Sequence, residues 1–224
     1  MNTSGFFLLL LVIYSTSSLF GQNIPISDTV IKPKPDRFVR VGFDISGVAI
    51  YFMNPEVRHL ELSLDSEIAH NWFVNLEGGN VNVLSDQENY NYHATGIFFR
   101  AGVDFNLLKR QAKTRNDVVL VGFRYGFSSL NHGSTRFFVS NEYWGDYSGS
   151  VENLNHQLHW VELKGGIKTE IFNNLFLGWS LRTRIRLAQS DDSQLQPFFI
   201  GGFGRGSRQA PISIQYSLMY KIGF

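Results

Sequence analysis

The residues with the most obvious chemistry are six histidines, a serine–acid pair and a glycine run. His156 and His159 stand three apart, with His132 earlier in the same stretch. On a helix that spacing could share a metal ion, but at the start of a strand it sends the two rings to opposite faces. His59, His70 and His93 have no partner at a recognisable spacing, so no metal site is expected. Ser140, Glu142 and His132 are the residue types of acyl hydrolysis, a nucleophile with an acid and a base. No motif fixes them relative to one another, and polar loops carry such residues routinely. Gly201-Gly202-Phe203-Gly204-Arg205-Gly206 has the composition of a phosphate loop without its strand–turn–helix context. It reads as a flexible loop or as the extension of a hairpin. These residues point to no enzyme and to no cofactor.

The charged residues say more, because they alternate. Arg182, Arg184 and Arg186 are separated by Thr183 and Ile185 and flanked by Leu181 and Leu187. A period of two puts the three arginines on one face of a strand and the apolar residues on the other. Glu61, Asp65 and Glu67 alternate in the same way with Leu60, Leu62, Leu64 and Ile68. Arg100 and Asp104 oppose Ile97, Phe99, Ala101, Val103 and Phe105, and Arg124 opposes Val121, Phe123, Tyr125 and Phe127. Collected on one side, the acids are Asp44, Glu61, Asp65, Glu67, Glu77, Asp104, Glu162 and Glu170. The bases are Arg40, Arg100, Arg124, Lys164, Lys168, Arg182, Arg184, Arg186 and Lys221. The two sets nearly balance.

The elements that must position these residues are strand-like segments at about 37–50, 57–69, 72–84, 92–107, 117–130, 157–171, 175–188 and 211–224. Each is long enough to cross a bilayer at a tilt. Gly78-Gly79 interrupts the third and predicts a bulge or a bend. Short connections at His70-Asn71, Leu108 to Asn116 and Asn173-Asn174 alternate with the others, at Tyr51 to Glu56, Ser85 to Asn91, Asn131 to His156 and Gln189 to Ala210. An even strand number with tight turns at one end and longer loops at the other predicts an all-β, eight-stranded, antiparallel, up-and-down transmembrane barrel with both termini periplasmic.

The segment from Pro211 to Phe224 strengthens this. Ile212, Ile214, Tyr216, Leu218, Tyr220, Ile222 and Phe224 alternate with smaller or more polar residues up to the terminal aromatic. The segment resembles the closing strand of bacterial outer-membrane barrels, which implies that Tyr220 and Phe224 form a signal read by the barrel-assembly machinery. Phe6 to Ile13 is a short apolar run that reads as a secretory signal ending at Gly21. Residues 1–21 are thus expected to be a signal peptide, 22–36 a Pro-rich periplasmic leader and 37–224 the barrel. The Gly21-Gln22 junction and Asp28-Thr29-Val30, which resembles an O-glycosylation sequon modifying Thr29, are similar to features of Bacteroidota. The mature chain therefore resembles small outer-membrane barrel proteins of that group, and a Gram-negative outer membrane is its implied location.

Composition agrees, with aromatics at 15%, charged residues at 17% and no Cys. The absence of Cys rules out a lipoprotein anchor and a disulfide framework. A formal charge of +1 gives no reason to expect nucleic acid.

An eight-stranded barrel is only wide enough to be filled by its own side chains, and buried charges persist only when paired. The inward charges are read either as a salt-bridged plug or as a narrow proton or ion path. Two further segments matter, Asn131 to His156 with Tyr143, Trp144 and Tyr147, and Gln189 to Ala210 with Phe198-Phe199-Ile200. Their aromatics would fold over the barrel mouth or contact another protein. The leading expectation is a non-enzymatic structural or scaffolding barrel, alone or as a subunit of a larger envelope complex. Its partners would be membrane lipid and other outer-membrane proteins or lipoproteins. A lipid-modifying enzyme and a narrow ion or proton channel are the alternatives.

Overall fold

The computed structural model describes residues 38–108, 117–140, 142–143, 145–190 and 195–223. Eight antiparallel strands close into a barrel in which each strand pairs with its neighbours in sequence and the last pairs with the first. They are β1 (Phe38–Asp44), β2 (Val57–Ala69), β3 (Trp72–Asp86), β4 (Asn91–Asn106), β5 (Val118–Val139), β6 (Tyr147–Phe172), β7 (Leu175–Gln189) and β10 (Ile212–Gly223). A small hairpin, β8 (Phe199–Ile200) and β9 (Gly204–Arg205), lies between β7 and β10, and a helix, α1 (Ser46–Met53), lies between β1 and β2. Closure is made by β1 and β10 in a register from Phe38 opposite Gly223 to Asp44 opposite Ser217.

The expected barrel is present, with several changes of detail. The segment expected as a strand over 37–50 ends at Asp44, because residues 46–53 (Ser-Gly-Val-Ala-Ile-Tyr-Phe-Met) are apolar without alternation. An alternating face is needed to stay in the wall, so this stretch leaves it as α1. The Asp44 carboxylate accepts bonds from the Ser46 amide (2.8 Å) and hydroxyl (2.5 Å), and the Ser46 Oγ in turn accepts the Tyr216 amide (2.9 Å). Gly47 lets the helix lie against the His59 carbonyl, which a Cβ there would approach to 2.5 Å. At the other side, β5 and β6 run well past 130 and 157, so most of the expected 131–156 loop is a long hairpin.

Gly78-Gly79 makes neither a bulge nor any register shift. Gly79 faces inward and leaves room for the Phe98 ring of the neighbouring strand, and Gly126 does the same for the Trp160 indole. Small residues beside large ones are how a narrow barrel interior is filled. Bulges occur instead at the ends of β2 and β6, beside two matching turns. In each turn an Asn, Asn71 or Asn174, takes the left-handed conformation at φ 65° or 66°, which Asn tolerates better than most residues. A Glu four residues earlier accepts its amide, Glu67 at 3.0 Å and Glu170 at 2.9 Å.

The two faces of the wall differ completely. Leu60, Leu62, Leu64, Ile97, Phe99, Val121, Phe123, Leu163, Leu177, Trp179, Leu181, Ile185, Ile212, Ile214 and Tyr216 are exposed on the outside. Inside, one apolar cluster (Phe38, Phe73, Val118, Leu120) sits at the tight-turn end. A larger one, with Val83, Phe98, Leu130, Leu158, Trp160, Ile200 and Phe203, sits at the other. Charged side chains occupy the space between. No helix among the described residues is long and apolar enough to cross a membrane.

The packing around Trp160, which is fully buried, gives a direct check. Gly126→Val should force the indole from its site and cost about 1–3 kcal/mol, measured by urea unfolding of the refolded protein. A variant as stable as the wild type would mean that the interior is looser than described.

Candidate functional site

The charged layer is built by inward positions of seven strands, β1 to β7, with Gln215 from β10. Glu77 lies at its centre, with its carboxylate 2.8 Å from Arg182, 2.9 Å from Arg100, 3.3 Å from Arg124 and 3.7 Å from Lys164. Glu162 is shared by Arg184 (2.8 Å), Arg182 (3.3 Å), Arg100 and Arg124 (both 3.4 Å). Glu61 pairs with Arg100 and accepts the Gln215 amide at 2.7 Å, while the Gln215 carbonyl accepts from Arg182. Nearer the tight turns, Asp104 receives both bonds of a fork from one Arg124 nitrogen, at 3.1 and 3.0 Å. Asp65 bridges Arg40 (2.6 Å) and Lys168 (2.5 Å). The Arg40 guanidinium is also ringed by Phe38, Phe73 and Phe176, each within 5.0–5.3 Å. All these charged groups are buried.

In these ion pairs the bases Arg40, Arg100, Arg124, Lys164, Lys168, Arg182 and Arg184 meet the acids Glu61, Asp65, Glu77, Asp104 and Glu162. Positive charge is in surplus there, and backbone carbonyls of the segment around β8 and β9 help to meet it. Arg184 donates to the Phe203 carbonyl at 3.0 Å and Arg100 to that of Gly202 at 3.4 Å. Gly202 has φ +73°, and a Cβ there would press into the Phe98 ring. A glycine is therefore required for this close approach. Phe203 itself is fully buried, with its ring 5.7 Å from that of Trp160. The glycine run is thus neither a phosphate loop nor a free extension; it turns back into the barrel mouth. Two adjacent glycines between Ile200 and Phe203 were the available signal.

Three residues expected in the inward charge network have other work. Asp44 holds the start of α1 and Glu67 holds the Asn71 turn. Arg186 is only half-buried and pairs with no carboxylate among the described residues. It donates to the carbonyls of Gly206 (2.5 Å) and Arg208 (2.9 Å) and lies 5.3 Å from the Phe203 ring. The physical reason is position, since Arg186 lies beyond the charged layer, level with the returning segment.

The histidines divide between the faces. His132 and His156 are buried with ring centroids 6.2 Å apart, while His159 is outside, bonded to the Tyr125 hydroxyl at 2.6 Å. No group of three or more possible metal ligands occurs among the described residues. Ser140 is exposed and bonds to Asp146 at 2.7 Å, at the far end of the hairpin from buried His132. At the rise of an extended strand the two are roughly 20 Å or more apart. Tyr143 and Tyr147 are exposed at that hairpin end, with Tyr147 5.8 Å from the Phe137 ring, and Tyr220 is exposed on the outer wall of β10. Trp144, Phe224, Thr29 and the expected signal and leader lie outside the described residues.

Residues 3–224 match the family described as Domain of unknown function (DUF6048). The chain belongs to this family. No curated protein matches the sequence. Among solved structures, it is similar to Ail, the attachment invasion locus protein of Yersinia pestis, at 8% identity and a TM-score of 0.43, over 85% of this chain and 100% of that one. A second structure of that protein, in complex with the heparin analogue sucrose octasulfate, gives 9% identity and a TM-score of 0.41 over the same shares. At these values the likeness adds nothing to the topology that the strand pairing itself establishes.

Arg182 and Arg186 separate the two kinds of arginine. Arg182→Ala strands buried carboxylates and should lower the unfolding free energy by roughly 3–5 kcal/mol. Arg186→Ala removes carbonyl bonds at a half-exposed site and should cost no more than about 1.5 kcal/mol. Urea unfolding of the two refolded variants measures both, and an equal or reversed order would contradict the geometry.

Proposed function

We propose that this member of the family is an outer-membrane barrel with a closed lumen and a structural, non-enzymatic role. The outer wall supports the membrane reading. Exposed leucine, isoleucine, valine or aromatic residues stand on every strand of the wall, a surface that water disfavours by about 25 cal/mol per Å² and that hydrocarbon does not. The location is read as the outer membrane of a Bacteroidota-type Gram-negative cell, with tight turns and termini towards the periplasm. Insertion there would use the barrel-assembly machinery, acting on the closing strand with Tyr220 and Phe224.

One observation carries the closed lumen: ion pairs cross the interior from Arg182 of β7 to Glu77 of β3 and from Lys168 of β6 to Asp65 of β2, strands on opposite sides of the barrel. A water-filled path would have to part them. Above this layer Phe203 and the returning segment occupy the mouth, held by Arg100, Arg184 and Arg186. The long β5–β6 hairpin then supplies a surface for a scaffolding partner, another outer-membrane protein or a lipoprotein, at Tyr143, Trp144 and Tyr147. Tyr and Trp give large contact area at small entropic cost.

The closed lumen is tested by planar-bilayer recording of the purified protein. Wild type should show no steady conductance; large, stable openings would refute the reading. Mass spectrometry of the outer-membrane lipid from a deletion strain tests the role. A structural barrel leaves the acyl chains unchanged, whereas a defined change in acylation would mark an enzyme.

A further inference from the structure

Outside the charged interior, the most unusual surface is a groove of about 420 Å³ on the outer wall, between α1 and strands β2 and β3. Phe43, Val48, Tyr51 and Leu60 form its apolar side. Arg58, Asn80 and Asn82 form its polar side. Arg58 pairs across the ladder with Asn82, and Leu60 with Asn80, so all four side chains stand on the outward face.

The helix beside the groove carries no charge, and among the described residues no element covers its outer side. Phe52 is 80% exposed and Met53 87%. An apolar helix of eight residues is too short to cross a membrane, but it can lie along the edge of one. Its apolar surface continues into Leu60, Leu62 and Leu64, the exposed wall of β2. Arg58 interrupts that wall with a cation. Its guanidinium carbon lies 5.9 Å from the Tyr51 ring centroid, and it pairs with no carboxylate among the described residues. Glu56, the nearest acid in sequence, is engaged instead by Gln87 at 2.9 Å. No acid lines the groove.

An arginine and two amides above a continuous apolar wall suit one kind of occupant, an amphipathic molecule with an anionic oxygen-rich head and a hydrocarbon tail. We propose that this groove binds a membrane lipid whose phosphate headgroup carries a net negative charge, with no cationic group to oppose Arg58. Arg58 donates to the phosphate, because its planar fork matches phosphate oxygens, and Asn80 and Asn82 add neutral donors. An acyl chain runs along Val48, Tyr51 and Leu60 down the β2 wall. Gly47 is what brings the helix close enough to β2 to form the groove. The inference rests on the membrane reading given above.

Native mass spectrometry of the barrel released from mixed micelles tests it, with phosphatidylglycerol and phosphatidylcholine of matched chains as probes. Wild type should retain one phosphatidylglycerol about tenfold more tightly than phosphatidylcholine, a difference of about 1.4 kcal/mol. Arg58→Gln should abolish the preference, while Arg136→Gln, at an exposed cation on the β5–β6 hairpin, should keep it. The double variant Val48→Ser, Tyr51→Ser, on the apolar side of the groove, should weaken retention of both lipids. Excess inorganic phosphate should not displace the lipid, because the tail contributes to binding.

Equal retention of the two lipids by wild type, or an unchanged preference in Arg58→Gln, would overturn the proposal while leaving the membrane reading intact. Displacement by phosphate alone would make this an anion site and also overturn it. A lipid-free dimer that Val48→Ser, Tyr51→Ser dissociates would show that a second copy covers the groove and overturn the proposal. Failure of the barrel to enter vesicles at all would remove the membrane reading and this inference together.

Discussion

A charge buried inside a closed barrel of eight strands persists only if it finds a partner there. That constraint organises the interior. Glu77 and Glu162 are each reached by several cations from other strands. Isolated, any of these groups would carry a desolvation cost of several kcal/mol. Shared, they link strands on both sides of the interior. The apolar clusters above and below the layer keep it away from solvent at both ends.

The same constraint explains the returning segment. Cations outnumber acids among the ion pairs, and carbonyl oxygens are the other strong acceptors within reach. Gly202 and Phe203 bring theirs to Arg100 and Arg184, and the Phe203 ring fills the space beside Trp160. The segment is thereby attached by both electrostatics and packing. Buried Arg–carboxylate networks are weak evidence for stability as such, because well-packed apolar residues can do as well. Their geometric effect is direct, since the forks of Arg182 on Glu77 and of Arg124 on Asp104 tie together the strands that carry them.

Much of this was legible in the sequence. Strand alternation placed Glu61, Asp65, Arg100, Asp104, Arg124, Glu162, Lys164, Arg182 and Arg184 on one face because a pleated strand allows nothing else. Asp44, Glu67 and Arg186 share that face but lie near the ends of their strands, where turns and returning segments compete for them, and alternation carries no information about depth. The helix α1 was missed because eight apolar residues without period suit a buried strand as well as a helix. Gly79 looked like a defect in β3 for want of its neighbour, and only pairing with Phe98 shows why the position must be small. The return of the Gly202–Phe203 segment depends on contacts such as that of Arg100 with Gly202, 102 positions apart, which no local pattern encodes.

The most direct measurement is a double-mutant cycle on Arg182 and Glu77, which meet across the lumen from β7 and β3 through bonds of 2.8 and 3.1 Å. Arg182→Met, Glu77→Gln and the double variant are unfolded in urea alongside the wild type. If cross-lumen pairing is what the interior depends on, the two changes are strongly non-additive, with a coupling of about 1–3 kcal/mol. Additivity within about 0.5 kcal/mol would show that the two residues are merely neighbours, and would contradict the account.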